Sequence, residues 1–147
     1  MRRSPLLEFQ VAIYQHFKKY NAPIFEDLAS IPGDQFPRIV IGEFAGKAMG
    51  SKASYTQEVT LTLHLYSTCP GKEEINKVLD SAIRCVNEPL PEMGGGFYLL
   101  NLGVDEYEVF SLEDEDGNFA VYHGTLAIKA TIQDLEESKN EIEWEVK

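Results

Sequence analysis

The sequence predicts an α+β domain: an antiparallel sheet of about four strands with two helices packed on one face. Two segments space their apolar residues as a helix does, and several others alternate apolar and polar residues as a half-buried strand does. The resulting order is helix, strand, strand, helix, strand, strand. No repeat and no linker divides the chain.

Ser4-Pro5 marks the start of the first helix, a capping hydroxyl followed by proline at the first helical position. Leu6, Phe9, Ile13, Phe17 and Tyr20 form its apolar stripe, and Asn21-Ala22-Pro23 ends it. Ile24 to Pro37 reads as an irregular connection, Arg38 to Phe44 as a strand, and Gly46 to Ser54 as a flexible loop of small residues with two lysines. Thr56 to Ser67 is the clearest strand. Val59, Leu61, Leu63 and Leu65 alternate with Thr60, Thr62, His64 and Tyr66.

Pro70-Gly71 opens the second helix, with Glu73 and Glu74 near its positive end. Ile75, Val78, Leu79, Ala82, Ile83 and Val86 form its buried stripe, and Pro89 and Pro91 stop it. Gly94-Gly95-Gly96 leads into a long strand, Phe97 to about Leu112. Its inward set is read as Tyr98, Leu100, Leu102 and Val104, with a bulge near Asp105. Asp116-Gly117 is a hairpin turn signal. Phe119 to Ile132 returns with Leu126, Ile128, Ala130 and Ile132 on one face. The domain is thus read as 1–132, followed by an acidic tail, 133–147, in which Ile142, Trp144 and Val146 alternate and suit a short strand added in an assembly.

The chain has 147 residues and 44% hydrophobic content, enough for one domain with a real core. Its net charge of −11 is unevenly spread. Met1–Lys52 carries seven Lys/Arg and five Asp/Glu, Ala53–Val104 three and six, and Asp105–Lys147 three and thirteen. This balance repels phosphate backbones and speaks against ordinary nucleic-acid binding. No apolar run approaches the ~20 residues of a membrane span, and the start is not a signal peptide. Two cysteines, Cys69 and Cys85, make neither a disulfide framework nor a zinc site, so the chain reads as cytosolic and reduced when made.

No catalytic residues, no metal site and no cofactor are expected from the sequence. His16, His64 and His123 belong to no nucleophile elbow or metal-ligand pair. His64 and His123 lie on strands that can bring them together, and they read as sheet-face histidines. Around Glu113-Asp114-Glu115-Asp116-Gly117-Asn118, a calcium loop would need carboxylates where Leu112 and His123 stand, so the segment reads as a solvated hairpin tip. Gly94-Gly95-Gly96 precedes a strand and offers no helix N-terminus to a phosphate. Gly46 and Gly50 lack the ending of a P-loop. Cys85 reads as a small core residue, and nothing nominates a base for Cys69.

The order of several segments resembles the tail-completion, or tail-terminator-like, family that joins head to tail in long-tailed bacteriophages. Pro23-Ile24-Phe25 follows the first helix. Phe36-Pro37-Arg38-Ile39-Val40-Ile41-Gly42-Glu43 is similar to the family's Pro-x-hydrophobic-Gly-Glu strand. Leu63-His64-Leu65-Tyr66-Ser67 places an aromatic before Ser where the family favours it. Gly71-Lys72-Glu73-Glu74 opens a helix ending near Pro89-Leu90, and an Asp116-Gly117 turn precedes His123-Gly124. The resemblance covers roughly residues 5 to 132, and the acidic end from Asp134 has no counterpart in it.

The resemblance implies a structural virion protein at the head-proximal end of the tail, made in the host cytoplasm and working by binding rather than catalysis. Its partners would be further copies of itself in a hexameric ring, the tail tube protein, and the head connector or stopper protein. DNA would pass transiently through the ring, and no membrane is involved. Two groups of residues are then candidates for function. Asp105, Glu106, Glu108, Glu113, Asp114, Glu115 and Asp116 would line the DNA channel, where carboxylates keep phosphates from sticking; the alternative is a plain solvated edge. Lys47, Met49 and Lys52 would form an assembly loop that orders on a neighbour or on the tail tube; the alternative is a plain hairpin connection. Two other functions stay open: an acidic binding module such as a DNA-mimic inhibitor, and a small hydrolase or isomerase.

Overall fold

The computed structural model describes residues 3–27, 35–49, 55–113 and 120–135. In chain order the elements are α1 (Leu6–Lys19), β1 (Ile24–Phe25), β2 (Arg38–Met49), β3 (Thr56–Ser67), α2 (Glu73–Asn87), β4 (Phe97–Glu113) and β5 (Ala120–Asp134). They form one sheet in the order β1-β2-β3-β5-β4. The four long strands are antiparallel to their neighbours, and β1 pairs in parallel with the start of β2 through Ile24↔Ile39 and Phe25↔Val40. The α+β architecture is as expected, with a fifth, two-residue strand where the sequence reads as an irregular connection. Two residues carry no periodicity, and only the tertiary contact makes them a strand.

α1 begins at Leu6. Pro5 occupies the capping position, and the Ser4 hydroxyl accepts the Leu6 amide at 3.3 Å. The helix buries Phe9, Ile13 and Phe17, while Tyr20, the last of the expected stripe, is exposed. α2 buries Ile75, Leu79, Ala82, Cys85 and Val86. Both helices lie against one face of the sheet, on Val59, Leu61, Leu63 and Leu65 of β3 and on Leu126, Ile128, Ala130 and Ile132 of β5. Each of these eight strand residues is essentially inaccessible. Full burial of one such aliphatic side chain contributes roughly 1.5–3 kcal/mol. The buried His16 ring ties the helices together, its Nε2–H donating to the Cys85 carbonyl at 2.8 Å.

Two details depart from the pattern read in the sequence. β2 continues to Met49, with Gly46–Met49 paired to Val59–Thr56, where a loop is expected. Ala45, Gly46, Lys47 and Ala48 are exposed on both faces of the ribbon, so burial imposes no alternation that a pattern search could find. Among the described side chains of β4, Phe97, Leu99 and Leu102 are buried, while Tyr98 and Leu100 are exposed. Register shifts fall between Leu99 and Asn101 and between Val104 and Glu106. The second is the expected bulge. The first changes the parity, and the run Phe97-Tyr98-Leu99-Leu100 is apolar on both faces and cannot reveal it.

The end of β3 is fixed to the start of α2 by Ser67. Its buried hydroxyl donates to Glu74 Oε1 at 2.7 Å and accepts the Cys69 amide at 3.2 Å. Ser67→Ala is expected to lower stability by about 1–2 kcal/mol, because the hydroxyl is both donor and acceptor in a dry site. Urea unfolding checks this, and an unchanged midpoint would count against the role given to this residue.

At the opposite end of the sheet, Arg3 clamps the chain start to the end of β5. Its guanidinium meets Asp134 at 2.7 Å (Nη2–Oδ1) and 3.2 Å (Nε–Oδ2), and its backbone amide adds a contact at 3.2 Å. β5 runs through Asp134, so the folded sheet includes the first two residues beyond 132.

Candidate functional site

Among the described residues, the helices cover one face of the sheet and leave the other open. Pairing registers place Arg38, Lys47 and Met49 of β2 on the open face, with Glu58, His64 and Tyr66 of β3. From β5 come His123, Thr125 and Lys129, and from β4 Asp105, Glu106, Glu108 and Phe110. A transverse row crosses four strands at successive partner positions: Arg38↔Tyr66, Tyr66↔His123, His123↔Phe110. The side chains stack along it. Tyr66 and His123 lie parallel at 4.6 Å, the Phe110 edge meets His123 at 4.6 Å, and the Arg38 guanidinium sits 5.5 Å from the Tyr66 ring.

Behind this row runs a hydrogen-bond chain. The Glu43 carboxylate can only accept, so His64 carries its proton on Nε2, at 2.9 Å from Glu43 Oε2. A neutral His64 then accepts at Nδ1 from His123 Nε2–H, at 2.8 Å. The local backbone is shaped for this. β2 bulges between Ile41 and Phe44, which brings Glu43 round to His64. Gly42 lies under the imidazole, where a Cβ would come within 2.4 Å of His64 Cδ2. The sequence reading of His64 and His123 as neighbours on a sheet face is what the structure shows. It gave no sign that Glu43 joins them, because a bulge leaves no trace in residue spacing.

The chain makes the open face acid-sensitive. Burial, reinforced by the neighbouring His64 charge and opposed by Glu43, pushes His123 below the ordinary value of 6.5. The unfolded chain therefore takes up this proton first. Stability is intact above about 6.5 and is lost as pH falls from there toward the lowered folded value. Hydrogen bonding from His64 and from its own backbone holds Glu43 below the carboxylate value of 4.5. Its smaller contribution, discounted because the group is largely exposed, is present above 4.5 and lost in more acidic solution. The expected result is a urea midpoint that declines from pH 7 toward pH 5 in the native chain and declines less in His123→Gln. Parallel declines in the two proteins would contradict the assignment.

The candidate residues fall in different places. Asp105, Glu106 and Glu108 share the open face, and Asp105 is 3.5 Å from Lys129. Glu113 ends β4, while Asp114, Glu115 and Asp116 lie outside the described residues, as does Lys52. Lys47 and Met49 belong to strand β2 rather than to a loop. The acidic tail is described only to Leu135.

The described thiols are poorly suited to nucleophilic work. Cys85 is pushed up to about 11 by burial, with Glu88 adding to it, and Cys69 is raised by its hydrogen bond to Glu74. A cleft of about 320 Å³ between the end of α1 and one side of α2 is walled mainly by Phe17, Tyr20, Pro23, Val78 and Ala82. No helix among the described residues is long and apolar enough to cross a membrane.

No family model and no curated protein matches the chain. Among solved structures it is similar to a chain in the virion of a native gene transfer agent particle. The TM-score is 0.70 at 10% identity, covering 88% of this chain and 97% of that one. It is also similar to the gp17 protein of bacteriophage SPP1, with a TM-score of 0.47 at 18% identity over 90% and 92% of the two chains. The class is that of small α+β domains, here with helices on one face of the sheet among the described residues. Within that class, the chain has the fold of a component of the gene transfer agent virion.

Proposed function

We propose that this chain is a structural protein of a phage particle that completes the head-proximal end of the tail. It joins the tail to the head connector as a ring through which DNA passes. The observation that carries this reading is the shared fold with a virion chain across nearly the full length of both chains. The order of segments that resembles the tail-completion family supports it independently.

In this reading the protein acts by binding and supplies no reaction step. The hydrogen-bond chain on the open face runs from a carboxylate through one imidazole to another, with no nucleophile at its end among the described residues. The open face turns toward the channel. Among the described residues it carries Glu43, Glu58, Asp105, Glu106 and Glu108 against Arg38, Lys47 and Lys129, a net negative surface along which phosphates slide without counterion release. Asp114, Glu115 and Asp116 would extend that lining.

The test is to add purified protein to tails and DNA-filled heads from a phage lacking it, and to count joined particles by electron microscopy. Joining, with density for the protein at the tail end, is expected. Unjoined heads and tails together with tight binding to a basic DNA-handling protein would replace this reading with that of an acidic inhibitor.

A further inference from the structure

The sheet has two long outer edges that no other described strand covers. β1 reaches β2 only at Ile39 and Val40, which leaves Ile41–Met49 open on its outer side. β4 pairs only with β5, so its outer side is open from Phe97 to Glu113. An uncovered strand offers unpaired N–H and C=O groups to another chain. The charges on the two edges are opposite. Lys47 of β2 is exposed and makes no ion pair among the described residues, and the same holds for Glu106 and Glu108 of β4.

These features select one partner and one arrangement. Pairing two β4 edges would set Glu106 and Glu108 of one copy against those of the other, and pairing two β2 edges would oppose lysines. β2 against β4 brings unlike charges together. The strands alternate in direction across the sheet, so β2 and β4 run in opposite senses and meet as an antiparallel pair. Lys47, Glu106 and Glu108 all project from the open face, so the pairs form on one side of the joint.

We propose that β2 of one copy pairs antiparallel with β4 of the next, with Lys47 seated against Glu106 and Glu108, so that the sheet continues from subunit to subunit. This rests on the self-assembly in the reading above and adds its interface. The contact is head-to-tail, the type that closes into a ring or runs on as a filament. It also carries a stagger. Within one copy Lys47 is level with Asn101, through Glu58 and Thr131. Meeting Glu106 moves the neighbour along β4 by about five residues, roughly 16 Å at ~3.3 Å per residue. A sheet that closes on itself requires such a shear.

The experiment is native mass spectrometry with sedimentation on the full chain and on three variants: Lys47→Glu, Glu106→Lys with Glu108→Lys, and all three together. Circular dichroism confirms that each is folded. The native chain is expected to assemble. The first two variants are expected to weaken assembly at least about tenfold by opposing like charges, and the triple variant to regain it with the signs exchanged. A native chain that stays monomeric at roughly millimolar concentration overturns the proposal. So do single-side variants that assemble like the native chain, or a triple variant no better than they are. If those variants also join heads to tails normally, the edge pairing falls while the joining function stands. If the charge exchange behaves as expected but no variant or native protein binds tails, the converse holds.

Discussion

Arg3→Ala is expected to destabilise the fold by about 3 kcal/mol, the usual cost of stripping one partner from a buried ion pair. The asymmetry of the pair sets this size. The Asp134 side chain is 1% exposed, whereas Arg3 is 33% exposed. Removing Arg3 leaves a dry carboxylate without its guanidinium, while removing Asp134 frees a cation that can reach water. Arg3 also lies over the Phe97 ring at 4.4 Å and accepts Gln57 Nε2 at its carbonyl, at 2.7 Å. The lost side chain therefore releases Phe97 of β4 and weakens the hold on β5, while the backbone contacts to Gln57 and Asp134 remain. Asp134→Ala is expected to cost less, and Arg3→Met with Asp134→Leu to recover most of the loss, since an apolar pair avoids the desolvation penalty. Guanidinium unfolding of the four proteins decides the matter. An Arg3→Ala curve that overlays the native one would mean that the clamp contributes nothing in solution.

Gly42→Ala is the second large effect, expected to cost about 1–3 kcal/mol by overpacking. Its position needs glycine for space. A Cβ would lie 2.4 Å from His64 Cδ2 and 2.8 Å from the Thr62 carbonyl. The imidazole can swing away, but the Thr62 carbonyl belongs to the middle of β3 and cannot. The His64 ring must then leave Glu43, His123 or both. The signature is therefore twofold: a lower melting temperature and altered histidine proton resonances. Loss of stability with the histidine signals intact would mean that the strain is relieved at the β2 bulge instead.

The parts of this fold that the sequence displays are those where burial acts on one face at a time. Val59 to Leu65 and Leu126 to Ile132 alternate because one side of each strand meets helices and the other does not. Ile75, Leu79, Ala82 and Val86 repeat at helical spacing for the same reason. Where both sides are exposed, as at Gly46–Ala48, or both apolar, as at Phe97–Leu100, alternation carries no information. The candidate site divides along the same line. His64 and His123 are recognisable as strand residues that can meet, but Glu43 reaches them only through a bulge, and Arg38, Tyr66 and Phe110 share their row only through register. The proposed pairing of Lys47 with carboxylates of another copy is one step further from the sequence, since it depends on which strands end up at the rim.

The place of β5 in the sheet has a consequence for how the molecule comes into being. The last strand among the described residues is an inner one: it lies between β3 and β4 and pairs with both along nearly its whole length. A growing polypeptide that has not yet delivered Ala120–Asp134 holds a β2–β3 hairpin and a β4 with nothing to bond to. The two helices have at that stage only half a surface to settle on. Folding is thus expected to be completed late and, being dominated by contacts between distant parts of the chain, to be slow. Until β5 arrives, β4 is not yet joined to the sheet that carries β2, so the proposed joint between copies would wait on completed folding.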